Sequence, residues 1–363
     1  MKIFILTSPL DGTGPVWMSI FWPHYAAIAD SVSTELLAVP EVPGSGLRSR
    51  LDRLKFWKHS PFGDGEALRR QVLAGLDPHG PNILIVWALG RRDIERADLL
   101  APIWDRFSHK VLSVVDNIEP EHALDKVVGR YDLITSFCGD LGPAWAAATG
   151  TPAIFYPPHT DALGFHTASS YRPVDLFLVG RRDKALHKPV HMHFNAPRSG
   201  RLSVDHVSRT LNFSYSAEED FHLLMAGYGR AKLAFCFEAS GNVRFRNRSP
   251  LTERWPHAWA AGCTVIGSTP RGAGVAEATD WPEATIDLPA EPEAAIETIE
   301  ALLSDDEGLT ARRFRNAEEA LRRHDTRHRL ARLLDELVLP RPAGLVAGLE
   351  RLSEAAEAVR SGR

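Results

Sequence analysis

Cysteine is scarce in this chain and long apolar runs are missing. Only three cysteines occur, Cys138, Cys236 and Cys263. Their wide spacing fits neither a metal knuckle nor a disulfide framework, so they read as buried free thiols in a reducing compartment. No apolar stretch approaches the roughly 20 residues of a membrane-spanning helix. The opening MKIFILTSP has one lysine and a very short apolar run, and it reads as a first strand rather than a secretory signal. An excess of either charge is also lacking: 42 Lys and Arg face 46 Asp and Glu, for a net charge of -4. That balance, with a pI near 6.4, argues against a nucleic-acid partner. The chain shows no internal repeat and no low-complexity tract. The expected location is the cytoplasm.

What is present is the composition of an ordinary soluble enzyme, 44% hydrophobic and 24% charged over 363 residues, enough for about two domains. Lys2–Thr7, Ile83–Ala88, Val111–Val115, Leu133–Phe137 and Ala153–Tyr156 read as strands. Helical segments fall between them at Val16–Ala29, Gly65–Leu76, Asp93–Ser108, Glu119–Val128 and Gly142–Ala148. Such alternation implies βαβ units and a parallel sheet, with ligands at the carboxyl ends of the strands. A boundary at Tyr156–Asp161 precedes a second series. It has strands at Val174–Val179, Leu233–Phe237 and Cys263–Ile266, and a helix at Glu218–Tyr228. Helices follow at Glu291–Leu303, Leu309–Arg323, Thr326–Leu337 and Gly344–Val359. The predicted fold class is α/β, with two Rossmann-like domains facing across a cleft. The expected domains are 1–157 and 158–340, with a C-terminal helix in 341–363 packing back across both. One segment departs from this pattern. Residues 41–65 hold Arg48, Arg50, Arg53, Lys55 and Lys58 beside Phe56 and Trp57, which reads as a solvated loop or as a contact with an anionic membrane face.

The most informative stretch is Ser249–Gly267, SPLTERWPHAWAAGCTVIG. Thr252 is expected to cap a helix, with Glu253 in its first turn, and Gly262 to end it before a buried strand. Trp255 and Trp259 share one face and read as core. The unpaired N–H groups of a helix N-terminus suit an anion, and Arg244, Arg246 and Arg248 lie just upstream.

The second half resembles the C-terminal domain of GT-B glycosyltransferases, the group 1 and CgeB-like bacterial enzymes in particular. Phe155–Phe165 (FYPPHTDALGF) resembles their interdomain hinge, with Asp161 and Phe165 at matching positions and His159 and Thr160 in place of small residues. Val174–Arg182 (VDLFLVGRR) resembles the first strand of the nucleotide-binding domain. Arg254–Gly262 resembles the R-x-x-E-A-x-A-x-G helix, and His324–Arg329 a late H-x-x-x-x-R helix start. The match spans about residues 150–335. It departs from the family's carboxylate pair: His257 and Ser249 stand where the two glutamates are expected, and Glu253 lies one turn away as a substitute for ribose binding.

The resemblance implies transfer of a sugar from a nucleotide-diphosphate donor to a glycan, lipid-linked or small-molecule acceptor, with no cofactor beyond the donor. The leaving diphosphate needs its growing charge stabilised, by a metal or by fixed cations and dipoles. No Asp-x-Asp occurs in the sequence, which favours the metal-independent route. The candidate donor and phosphate groups are Arg181, Arg182, Arg244, Arg246, Thr252, Glu253 and Arg254. An acceptor base is sought among Asp11, His24, Asp116 and His159, at strand ends or in the cleft. Gly12 and Gly14 form a turn after the first strand where a ligand could approach the backbone. Trp17 stands at the third glycine position of a dinucleotide fingerprint, against a dehydrogenase. His191 and His193 would share a face in an extended segment, but with no nearby Cys or carboxylate they read as polar packing or anion contact. Two other functions fit the same outline: a nucleotide-sugar epimerase, and a non-catalytic two-lobed sugar-binding protein.

Overall fold

Alternate residues of the first strand enter different cores, and this decides the architecture. In β1 (Lys2–Thr7), Phe4 and Leu6 join one buried cluster while Ile3 and Ile5 join another. A strand buried on both faces belongs inside a parallel sheet covered by helices on each side. The computed structural model describes residues 1–10, 16–39, 62, 65–180, 183, 185–206, 216–241 and 245–362. In chain order, β1 is followed by α1 (Trp22–Ser31), β2 (Thr34–Ala38), α2 (Glu66–Gly75), β3 (Asn82–Ala88), β4 (His109–Val114), β5 (Leu133–Ser136), α3 (Gly142–Thr149) and β6 (Ala153–Phe155). These strands form one all-parallel sheet in the order β2-β1-β3-β4-β5-β6.

The second series begins with β7 (Val174–Val179), α4 (His187–Phe194), β8 (Ser203–His206), α5 (Ala217–Gly229), β9 (Ala231–Cys236), α6 (Arg254–Ala260), β10 (Thr264–Gly267) and β11 (Ile286–Asp287). Its sheet is also all-parallel, ordered β11-β10-β9-β7-β8. The same alternation recurs: Leu176 and Leu178 face one cluster, Phe177 and Val179 the other. Trp255 and Trp259 of α6 are fully buried beneath this sheet, so they are core, as their spacing predicts. Removing either ring would cost about 3–5 kcal/mol.

The chain closes with α7 (Pro292–Ser304), α8 (Asp306–Arg323), α9 (Thr326–Glu336) and α10 (Ala343–Arg360). The last two cross back to the first sheet. Leu330, Leu334 and Leu345 share a buried cluster with Ile3, Ile5, Ile28 and Val32. Arg327 holds the crossing together. Its guanidinium reaches Asp161 at 2.8 Å, Asp325 at 3.1 Å and, on α1, Asp30 at 3.0 Å. The two sheets thus form two Rossmann-like domains that face each other with their strand ends.

Several sequence expectations need correction. The helix expected over Asp93–Ser108 splits into a short α-helix at Arg91–Arg96 and a 3-10 stretch at Ala97–Arg106. Pro102 lies inside it and Ile103 departs from helical geometry, as a proline without an N–H imposes. β2, β8 and β11 escaped the sequence reading, each being short, polar or both. The segment bearing His187, His191 and His193 is a helix, not an extended strand. His187 and His191 therefore share a face, their rings 6.2 Å apart. No helix among the described residues is long and apolar enough to cross a membrane.

Candidate active site

Parallel sheets bind ligands where the strand order reverses, beyond the carboxyl ends. In the second sheet that crevice lies between β7 and β9, which continue outward in opposite directions. Arg254, the first residue of α6, spans it. Its guanidinium donates to the carbonyl of Phe237, just past β9, at 2.7 Å and to that of Val179, at the end of β7, at 3.5 Å. Gly180 keeps the wall thin at a φ of 70°, a conformation that favours glycine, and the Arg254 side chain packs over it.

Across the cleft, β4 ends at Val114 and delivers Asp116 to the same place. Asp116 and Arg254 both line one pocket of about 230 Å³. Its walls are largely apolar, with Leu89, Val115 and Phe137 from the first domain and Phe245, Pro250 and Leu251 from the second. Thr252, Glu253 and Asn117 also line it. Asp116 is largely buried and its Oδ1 accepts from the Asn117 N–H at 2.8 Å. A second, more polar pocket of about 510 Å³ also lies between the sheets, lined by Asp140, Glu238, Ser240, Ser268, Thr269 and Arg271 among others.

The two domains are pinned together beside these pockets. Arg248 forms an ion pair with Glu119 and donates to Asn117 Oδ1 at 3.0 Å. Arg246 faces the same acidic edge, 3.6 Å from both Glu119 and Glu121. A Cβ on Gly139 would collide with the Ala273 carbonyl. Here the backbones themselves meet.

Thr252 is not the cap its sequence position suggests. Glu253 occupies the N-cap position of α6 with no side-chain capping bond, and the Thr252 hydroxyl is buried without a partner. The helix is only seven residues long, and the Trp255 N–H is already taken by the Thr252 carbonyl at 3.2 Å. Fewer N–H groups are therefore open to an anion than the sequence implies. The Glu253 carboxylate points into the domain junction, 3.7 Å from His24 Nε2 and 4.0 Å from His257 Nε2. Burial raises its pKa from the ordinary carboxylate value, which favours the neutral form relative to an exposed carboxyl. His257 is buried against Phe221 and burial pushes it down to about 3.

His159 stands behind the pocket wall. Its ring packs 3.9 Å from that of His24 and 5.5 Å from Phe137, and its Nδ1 meets Thr326 Oγ1 at 3.0 Å. Full burial holds its pKa well below the ordinary imidazole value. It binds the hinge segment to α9. Among the sequence candidates, the pocket therefore gathers Asp116, Thr252, Glu253 and Arg254, with His159 behind it and Arg246 at the acidic edge. Asp11, Gly12, Gly14, Arg181, Arg182 and Arg244 lie outside the described residues, as does nearly all of 41–65. Asn117 and Glu119 are not among the site candidates from the sequence, although they follow β4 as Asp116 does and the strand-end rule points at them.

No protein-family model matches the chain, and no curated protein matches it. Solved structures do. HepE of Anabaena, solved with UDP and glucose, aligns at a TM-score of 0.55 and 12% identity, covering 93% of this chain and 99% of that one. The chain has the GT-B fold. A glycosyltransferase of Rickettsia africae aligns at a TM-score of 0.53 and 12% identity, over 93% of this chain and 98% of that one. A putative UDP-N-acetylglucosamine 2-epimerase of Listeria monocytogenes aligns at 0.50 and 13% identity, over 94% and 98%. The GT-B cleft is the one that holds the two pockets and Arg254.

Proposed function

We propose that the chain is a glycosyltransferase that moves a sugar from a nucleoside diphosphate sugar to an acceptor hydroxyl without a bound metal. One observation carries this reading: Asp116 from one domain and Arg254 from the other line a single pocket at the mouth of the cleft. During transfer the acceptor oxygen bonds to the anomeric carbon, the bond from that carbon to the diphosphate breaks, and the hydroxyl proton passes to a base. Asp116 is the candidate base. Arg254 is the candidate cation against the leaving diphosphate, with Arg181, Arg182 and Arg244 as further candidates from the sequence. The apolar wall suits the acceptor, a glycan, lipid-linked or small molecule. The polar pocket with Glu238, Ser268 and Thr269 offers hydrogen-bond partners to the sugar. HepE was solved with UDP and glucose and, in another crystal, with UDP-glucose, which makes a uridine donor the first to try.

A thermal-shift screen of nucleoside diphosphates and their sugars, with and without EDTA, tests the reading. Stabilisation by one nucleotide that EDTA leaves intact supports it. A strict divalent-metal requirement overturns the metal-free part. The Listeria neighbour keeps an epimerase in view. That alternative is distinguished by an epimer formed from the donor alone, with no acceptor present.

A further inference from the structure

We propose that the pocket at the amino-terminal ends of β7, β9 and β10, on the edge of the second sheet opposite the cleft, is a binding site for a small anion carrying a phosphate or carboxylate group. The pocket has a volume of about 210 Å³ and is lined by Arg172, Lys232 and Arg313, with Ser170 and Thr310 as hydroxyl donors and Asp306 as an acid. This is below the roughly 300–1,000 Å³ of drug-sized ligand sites. It suits a phosphate or a small carboxylic acid better than a nucleotide.

The charges are not balanced. Arg172 is buried, and its N–H groups go to backbone carbonyls: Ala231 at 2.6 Å, Ala261 at 2.6 Å and Ser169 at 3.0 Å. Carbonyls satisfy its hydrogen bonds but leave its positive charge without a carboxylate. Arg313, beside it, makes no hydrogen bond and no ion pair among the described residues. Its guanidinium rests 5.2 Å from the Phe314 ring, and its Nε is buried with no partner. Desolvation and the neighbouring Arg172 both lower the Arg313 pKa, the mark of two cations held together without an anion between them. Lys232 is already matched by Asp175 at 2.6 Å, and Asp306 is exposed. The floor is left open by Gly262, at a φ of 68°, where a Cβ would come within 3.0 Å of both arginine side chains. An anion seated there would meet a guanidinium with all its donors uncommitted, and charge-assisted hydrogen bonds are the strong ones.

Arg172 also holds the end of α6, so the test is placed on Arg313. The full chain is titrated calorimetrically at low ionic strength with inorganic phosphate and, separately, with citrate. Saturable binding of either, weakened roughly tenfold or more by Arg313→Gln and unchanged by Arg254→Ala, supports the site and names its ligand class. Circular dichroism melts check that both variants fold. Absence of saturable binding overturns the proposal. So does binding that Arg254→Ala removes and Arg313→Gln leaves intact, which would place the anion in the cleft.

Discussion

His24 Nε2 stands 3.7 Å from the Glu253 carboxylate and 2.8 Å from the His159 carbonyl, to which it donates. One imidazole of the first domain thereby touches both the hinge and the start of α6. Because Glu253 is buried with neither oxygen hydrogen-bonded, the folded state favours its neutral form. Its contribution to stability is complete below the ordinary carboxylate pKa of 4.5 and is lost as pH rises through the raised folded value. Glu253→Gln, a neutral mimic, is expected to raise Tm relative to wild type at pH 8 and to leave it nearly unchanged at pH 4.5. A Tm difference that does not vary with pH would show that this carboxyl titrates normally.

The buried histidines act in the opposite direction. His257 and His324 are both pushed down to about 3 by burial, so the folded state takes up their protons far later than the unfolded chain does. Their contribution is intact above the unfolded value of 6.5 and declines as pH falls from there toward 3. Each costs on the order of 2 kcal/mol by pH 5. The slope of stability against pH between 6.5 and 4 should fall by one proton in His257→Gln. Denaturant melts across that range measure it, and an unchanged slope would refute the assignment.

Arg327 offers a test of the crossing helices. Replacing it with methionine leaves Asp161 and Asp325 buried without their cation, and a loss of about 3–5 kcal/mol is expected. Asp30→Asn, on the exposed end of the same network, should cost less than about 1 kcal/mol. Urea melts of the two variants distinguish these outcomes, and equal losses would mean that burial does not set the energy here.

In the cleft, binding and chemistry should come apart. Asp116→Asn is expected to lower kcat by roughly 100-fold or more with little change in donor affinity. Arg254→Ala should weaken nucleoside diphosphate binding at least about tenfold while affecting the bare nucleoside less. Calorimetry with UDP and uridine, beside steady-state rates, separates the two. If Asp116→Asn lost donor affinity instead, Asp116 would be a donor ligand and the base would lie elsewhere.

Arg246 is one of several phosphate candidates from the sequence, and its surroundings offer it acidic partners instead. Two carboxylates stand 3.6 Å from it and already offset its charge, so Arg246→Ala should change diphosphate affinity by less than about threefold. A larger, diphosphate-specific loss would return Arg246 to the donor site.

The periodicity of apolar residues revealed most of this fold because both sheets are buried on both faces. Runs such as Lys2–Thr7 and Val174–Val179 carry an unbroken signal, and their observed bounds match the sequence reading. β11, with two residues, has no periodicity to detect. The site was partly legible. Asp116 and Arg254 could be placed because each sits next to a strong strand or helix signal. The turn of Glu253 into the junction could not, because it depends on His24, more than 200 positions away in the chain. The Thr252 cap failed for a related reason: α6 starts one residue later than the pattern of Thr and Glu suggests, where packing of the two tryptophans fixes its register.

The return of α9 and α10 to the first domain has a consequence for synthesis. Asp30 and Arg327 are 297 positions apart, and the apolar face that covers Ile3 and Ile5 includes Leu330, Leu334 and Leu345. On the ribosome, β1 and α1 emerge long before their partners exist. At about 5–20 residues per second that interval is on the order of 15–60 s. Throughout it the nascent amino-terminal sheet shows a hydrophobic side that α1 covers only in part, the kind of surface that chaperones hold. The first domain to be made is therefore the last to be finished.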